Sequence, residues 1–336
     1  RGWIMGYNRV LKPVFYPCTM NWMRSRGVGT FSKIAGTYNG TPNDYELIDM
    51  KPSNRVSFDT SDNATTHIVL QFNTGVTSNM NINFCAILNH NLVAADGKIR
   101  IAYHTSALAA GTGTTVTVLN TGDTPLVNGS VSTNIVTPAT NGSTIINFTE
   151  VSDKQYWAIE IEDISSFSAT DLEIGTIVLG EAYVMPTSPD LSVSRNIVWD
   201  GVDVQTAAGG GEFGNARYIT GLDGTANYNH QPFRDAGTGS AFRSHGGRWN
   251  VGMNFSYLSD SDIMQSDITS STGSDTVLHD IYNKTAGRLK PFVFGVDSTS
   301  TTVGDYMFAR FANDGMETNQ VAHNTWSAKM NVRETW

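Results

Sequence analysis

Charge is scarce in this sequence. Asp, Glu, Lys and Arg make up 16% of its 336 residues, against an average of about 25%. Large β surfaces of low charge suit proteins that sit inside assemblies. Cysteine is scarcer still. Cys18 and Cys85 are the only two, too few for a disulfide framework, and neither has metal-ligand spacing. Cys85 follows Asn81-Ile82-Asn83-Phe84 and precedes Ala86-Ile87-Leu88, a setting for a small core hydrophobe. Such a chain is compatible with a reducing cytoplasm. No apolar run nears the roughly 20 residues that span a bilayer, and no signal-peptide pattern opens the chain, so no membrane partner is expected. Met5-Gly6-Tyr7 reads as a start, with Arg1 to Ile4 expected to be an upstream extension or a cloning remnant.

Catalytic signatures are missing too. There is no G-x-x-x-x-G-K-[ST] loop, no H-E-x-x-H pair and no G-x-S-x-G elbow. Seven histidines, at positions 67, 90, 104, 230, 245, 279 and 323, are scattered. Gly209, Gly211 and Gly214 spell G-x-G-x-x-G, but a dinucleotide site needs this turn between a buried strand and a helix. Here Asn215-Ala216-Arg217-Tyr218 and another Gly-rich loop follow, so a loop or bulge cluster is expected. Asp260, Asp262 and Asp267 lack the EF-hand ligand order and read as caps and turn residues.

What remains is strand signal broken by Gly, Ser, Thr and Asn. Runs at Thr66–Phe72, Ile82–Leu88, Lys98–Tyr103, Thr114–Leu119, Val131–Val136, Thr144–Phe148, Tyr156–Glu162 and Glu173–Tyr183 predict an eight-stranded jelly-roll sandwich. In the seventh, Trp157, Ile159 and Ile161 share one face. Pro186 and Pro189 then bracket a turn. Beyond it lie Leu191–Trp199, a strand near Arg248–Leu258 and an amphipathic helix at about 275–286 closed by Gly287. Strands at Pro291–Val296, Tyr306–Phe311 and Trp326–Trp336 finish the chain. In the last, Trp326, Ala328, Met330 and Val332 should face a core, and Ser327, Lys329, Asn331 and Arg333 the other way. The expected class is all-β: an N-terminal extended arm and lead-in (1–60), a jelly-roll (61–185) and a second β-rich domain with one short helix (186–336).

Several short stretches resemble a family. They are Glu173-Ile174-Gly175 through Leu179-Gly180-Glu181, Met185-Pro186, Ser188-Pro189-Asp190, Trp199-Asp200-Gly201 and Gly209-Gly210-Gly211. Arg248-Trp249 leading into Asn254-Phe255-Ser256-Tyr257-Leu258, Lys290-Pro291-Phe292-Val293-Phe294 and Val332-Arg333-Glu334 continue the pattern. Together they resemble structural proteins of tailed-bacteriophage tails and virions, from about Met50 onward. In that family the first of these strands closes a jelly-roll of the discoidin or galactose-binding type. The resemblance implies a virion protein folded in the host cytoplasm. A structural calcium ion in the jelly-roll, with unassigned ligands, stays open; no other cofactor is expected.

Residues 1–43 hold six basic residues and no acid, hence +6, while the remainder has 16 basic against 31 acidic residues, hence −15. The segment reads as an arm lying on an acidic surface of its own body or of a neighbouring copy. Its candidate contact residues are Arg9, Lys12, Phe15, Tyr16, Arg24 and Arg26. A nucleic-acid arm is not expected of charges so sparse. On this reading the arm can be deleted while the jelly-roll stays folded. The function expected is non-enzymatic: a ring-forming tail or tail-tip component whose partners are copies of itself and other virion proteins. The alternative is a carbohydrate-binding module that adheres to host-surface glycan, with Trp249 and Tyr218 as contacts among the aromatics of 215–250. A polysaccharide or cell-wall hydrolase is the third reading, with no nameable carboxylate pair.

Overall fold

The computed structural model describes residues 11–61, 67–77, 80–104, 106–108, 116–117, 126–162, 170–198, 204–214, 248–263 and 277–335. The chain begins with β1 (Val14–Pro17), helix α1 (Thr19–Ser25), β2 (Thr30–Ala35), a short 3-10 helix (Asp44–Ile48) and β3 (Val56–Phe58). Next come β4 (His67–Asn73), β5 (Asn81–His90), β6 (Lys98–His104), β7 (Val116–Thr117), β8 (Leu126–Val127) and β9 (Gly129–Ser132). They are followed by β10 (Ile135–Pro138), β11 (Gly142–Ser152), β12 (Tyr156–Glu162), β13 (Leu172–Ile174), β14 (Thr176–Gly180) and β15 (Tyr183–Val184). The remainder holds β16 (Ser194–Val198), β17 (Val204–Thr206), β18 (Glu212–Gly214) and β19 (Arg248–Leu258). Helices α2 (Asp260–Ile263) and α3 (Val277–Lys284) precede β20 (Phe292–Gly295), β21 (Tyr306–Phe311), β22 (Glu317–Ala322) and β23 (Thr325–Glu334).

The protein is all-β, as its periodicity requires. A seven-stranded sheet, ordered β2-β4-β12-β6-β10-β9 with β7 on β6, and a four-stranded sheet, β14-β5-β11-β8, share one core. Period-2 alternation builds it. Trp157, Ile159 and Ile161 of β12 pair with Phe72, Leu70 and Ile68 of β4 and with Tyr103, Ile101 and Ile99 of β6. The Trp157 ring lies 6.1 Å from Phe148 of β11. The strand expected at Val131–Val136 is split, because Thr133 sits at φ 60 in the turn between β9 and β10. The long strand expected at Glu173–Tyr183 breaks into β13, β14 and β15.

A larger sheet runs β15-β1-β20-β21-β23-β19-β16, with β22 on β23. One face carries a second core, in which Phe15, Phe292, Phe294 and Phe311 cluster with Met253, Phe255, Met330 and Val332. Helix α3 falls within the span expected for it and contributes the buried Ile281. The opposite face of β1, β20 and β21 packs on the sandwich, where Tyr16 meets Phe84 edge-on at 4.8 Å and Phe308 joins the first core. Strand β1 is therefore buried on both faces: Phe15 serves one core and Tyr16 the other.

The lead-in is correspondingly not an extended arm. Residues 14–58 form three strands and two short helices, and β1 is hydrogen-bonded to both β15 and β20. Helix α1 starts on Cys18, whose Sγ accepts the Asn21 N–H at 3.4 Å, and buries Met20 and Met23. Lys290 Nζ then ties its C-terminal turn down through Asn21 O at 3.1 Å and Ser25 Oγ at 2.7 Å.

Close packing of this segment explains two glycines of the Ile174–Glu181 stretch. A Cβ on Gly175 would come within 2.2 Å of the Pro52 carbonyl oxygen. A Cβ on Gly180 would lie 2.6 Å from the Pro17 carbonyl oxygen. Gly180→Ala is expected to lower stability by about 1–3 kcal/mol through forced backbone displacement, measured as the shift in urea midpoint at constant slope. An unchanged midpoint would mean that β1 and β14 do not approach this closely.

Candidate functional site

Two polar constellations stand out from the hydrophobic pattern. The first lies on the outward face of the seven-stranded sheet. Glu160 of β12 is 1% exposed, and its Oε2 lies 3.5 Å from Arg100 Nη1 of β6. Arg100 Nη2 reaches Glu162 Oε1 at 2.5 Å, and His67 Nε2 of β4 is 3.7 Å from Glu160 Oε1. Cross-strand register puts them together, since Glu160 faces Arg100 and Glu162 faces His67. The Glu160 carboxylate beside it raises the pKa of His67, against the opposing effect of burial. His67, Glu160 and Glu162 are donors of the metal-ligating kind, but Arg100 already supplies a cation to both carboxylates. Cross-strand ion pairs thus tie β4, β6 and β12 together on this face.

The second constellation arises where the larger sheet runs out from under the sandwich. Phe308 of β21 packs on the sandwich, and two residues on, Arg310 of the same face emerges. Across β23 and β19 that face turns polar. On β19, Val251, Met253 and Phe255 point into the second core, so Asn250, Gly252, Asn254 and Ser256 point out. Opposite them on β23 stand Arg333, Asn331 and Lys329, and on the other flank β16 sets Asn196 beside Asn250 and Ser194 beside Gly252. The segment leading into β16 extends the row, with Ser192 Oγ accepting from Asn254 Nδ2 at 3.1 Å and Asp190 Oδ2 accepting from Ser256 Oγ at 2.5 Å.

Gly252 gives this face its shape. A Cβ there would lie 2.6 Å from Ser194 Oγ and 3.0 Å from Asn331 Oδ1, so these two side chains lean into the space over Gly252 that a larger residue would need. The result is a shallow trough walled by Ser194 and Asn331. Asn250 Oδ1 is buried and has no hydrogen-bond partner among the described residues. At the end of the row Tyr257, 78% exposed, offers an uncovered aromatic ring beside Ser256.

The residues singled out by sequence fall elsewhere. Phe15 and Tyr16 are 0% and 1% exposed and belong to the two cores, so they cannot meet a neighbouring copy. Arg24 lies 3.7 Å from the centroid of the Tyr45 ring and Arg26 5.0 Å from that of Trp22, and Lys12 is exposed. Arg9 and Tyr218 lie outside the described residues, as do Tyr228, Phe233 and Phe242. Trp249 alternates away from the trough and packs against the second core, with the Arg195 guanidinium 4.0 Å from its ring centroid. Its stacking face is thus occupied. Gly209 and Gly211 lie in the hairpin loop between β17 and β18, where Ala207 N–H donates to Gly211 O at 2.7 Å. Asp262 accepts from Ser259 N–H at 2.7 Å and Asp260 accepts from the Trp326 indole, so both have the capping and bonding roles expected. Asp267 lies outside the described residues. Sequence reasoning passed over Tyr257 and the asparagine row, although the alternation Asn250-Val251-Gly252-Met253-Asn254-Phe255 was there to be read.

No family model and no curated protein matches this chain. Among solved structures it is similar to chitosan-binding module 1 from a chitosanase/glucanase of Paenibacillus sp. IK-5, with TM-score 0.31 and 14% identity over 46% of this chain and 96% of that one. It is similar as well to CBM32-1 from a family 31 glycoside hydrolase of Clostridium perfringens, with TM-score 0.29 and 12% identity over 46% of this chain and 94% of that one.

Proposed function

We propose that this protein is a non-catalytic glycan-binding module whose site is the trough over Gly252. The weak likeness to carbohydrate-binding modules does not carry this reading. What supports it is the in-register row of amide and hydroxyl side chains on an open, rigid sheet face. Each asparagine amide both donates and accepts, as each sugar hydroxyl does, and cross-strand neighbours about 5 Å apart hold such groups at fixed spacing. Ser194 and Asn331 lean in over Gly252 and bring two oxygens to one place on this face, and an exposed tyrosine can stack on a sugar's C–H face.

The test is an array of neutral and acidic polysaccharides, followed by titration of the best binder. Asn331→Ala is expected to weaken binding about fivefold, the value of one hydrogen bond of about 1 kcal/mol. Tyr257→Ala should weaken it about three- to tenfold. Both side chains are on the surface, so circular dichroism should be unchanged. Unaltered affinity in both variants would sink this assignment.

A second reading, assembly with copies of itself as in a virion, is favoured by one observation. Strand β16 is hydrogen-bonded on one side only among the described residues and carries the 44%-exposed Ile197, which suits pairing with another chain's strand edge. Light scattering across a concentration series tests self-association, and recovery in purified particles tests the virion setting; a monomer absent from particles would end this second reading.

A further inference from the structure

We infer that the glycan taken by this trough is acidic, a carboxylate or sulfate of the polymer pairing with Arg310 at the end of the asparagine row. The inference rests on the glycan reading above and adds the ligand's chemical class. Arg310 of β21 lies directly opposite Arg333 of β23, and Arg333 lies opposite Asn250. Arg248, two residues before Asn250 on β19, points to the same face. Three arginines therefore share the face where the amide row ends, with Arg248 and Arg333 engaged in interactions of their own.

Like charges directly opposite each other on a sheet are destabilising. Here burial first, and then the Arg248 charge, holds the Arg310 pKa below its usual value. The Arg310 side chain has no ion pair or hydrogen bond among the described residues and is exposed, so an incoming anion can reach it. A guanidinium gives a carboxylate or sulfate two parallel hydrogen bonds, where a lysine gives a point charge. The ligand needs anionic groups and hydroxyls on one polymer, because Arg310 and the row formed by Asn250, Asn331 and Asn254 share one continuous face.

Nucleic acid fits less well. Its binding depends on neutralising many phosphates, and the whole chain carries −9. A local arginine cluster beside an amide row on an acidic body favours a polymer offering hydroxyls with its anionic groups over one held by phosphates alone.

The decisive experiment titrates the full chain with polygalacturonate, dextran sulfate, neutral galactomannan and a single-stranded oligonucleotide at low and high salt. At low salt at least one acidic polysaccharide should bind about tenfold or more tightly than galactomannan, with the advantage shrinking as salt rises. Arg310→Ala should cut that acidic-over-neutral ratio by about fivefold or more, and Arg310→Lys should restore part of it. Which acidic polymer wins separates carboxylate from sulfate. Equal affinity for galactomannan and both acidic polymers would overturn the inference while leaving the glycan reading intact. Binding of no polysaccharide would overturn both. Tightest binding to the oligonucleotide, lost in Arg310→Ala, would reassign the cluster to nucleic acid.

Discussion

Deleting residues 1–43 is expected to leave no folded protein. The segment looks detachable by charge, yet β1 is a strand buried on both faces between β15 and β20. Phe15 sits within 6 Å of Phe292, Phe294 and Phe311, with centroid distances of 5.6, 5.2 and 5.9 Å. On the other side Tyr16 packs against Phe84. Truncating one such ring, as in Phe15→Ala, should cost about 3–5 kcal/mol, a large share of the 5–15 kcal/mol typical of a folded protein. Removing the whole strand strips both cores and exposes the edges of β15 and β20. Urea denaturation followed by circular dichroism measures both effects. A truncated chain that unfolds cooperatively at the full-length midpoint would show the segment to be an appendage after all.

The second large effect is on pH dependence, through His90. This side chain is 3% exposed at the end of β5. Its Nδ1 accepts the Leu92 N–H at 3.3 Å, which leaves the proton on Nε2, 2.9 Å from Thr144 Oγ1. Both ring nitrogens are used by the neutral form. Burial, helped by the Arg55 charge, pulls the pKa down to about 3, while an unfolded histidine titrates near 6.5. As pH falls below about 6.5 the unfolded chain takes up a proton that the native ring refuses, so stability is lost until the pH reaches the folded pKa. Between pH 7 and pH 4 the loss from this one group is of the order of 3 kcal/mol. His90→Gln, though less stable at pH 7, should lose correspondingly less on acidification. Equal acid losses in the two proteins would show that His90 is charged in the fold.

Local alternation was readable wherever one face is buried. Strand β12 has the boundaries expected from Tyr156 to Glu162. In β23, Ala328, Met330 and Val332 are buried, as their even spacing implies. Val14-Phe15-Tyr16 failed for a physical reason. A short apolar run buried on both sides has no alternation, and flanking prolines made it look extended and free. Helix α1 has seven residues, too few to establish a period. The trough was half legible: the outward residues of β19 and β23 each alternate clearly. Its assembly was not, because Asn331 meets Gly252, and Gly252 meets Ser194, only through the pairing of strands far apart in the sequence. Likewise Trp249 looked available beside its arginines, but which face it takes depends on the register of β19.

Side-chain amide resonances give the most direct view of the trough. In ¹⁵N-labelled protein titrated with the best-binding polysaccharide fragment, the NH₂ groups of Asn196, Asn254 and Asn331 are expected to shift together in a saturable manner. Those of Asn21 and Asn89, held by Ile48 O and Pro52 O far along the chain, should stay in place. Saturable binding that leaves the three trough amides unmoved and shifts others instead would place the glycan elsewhere and contradict the assignment.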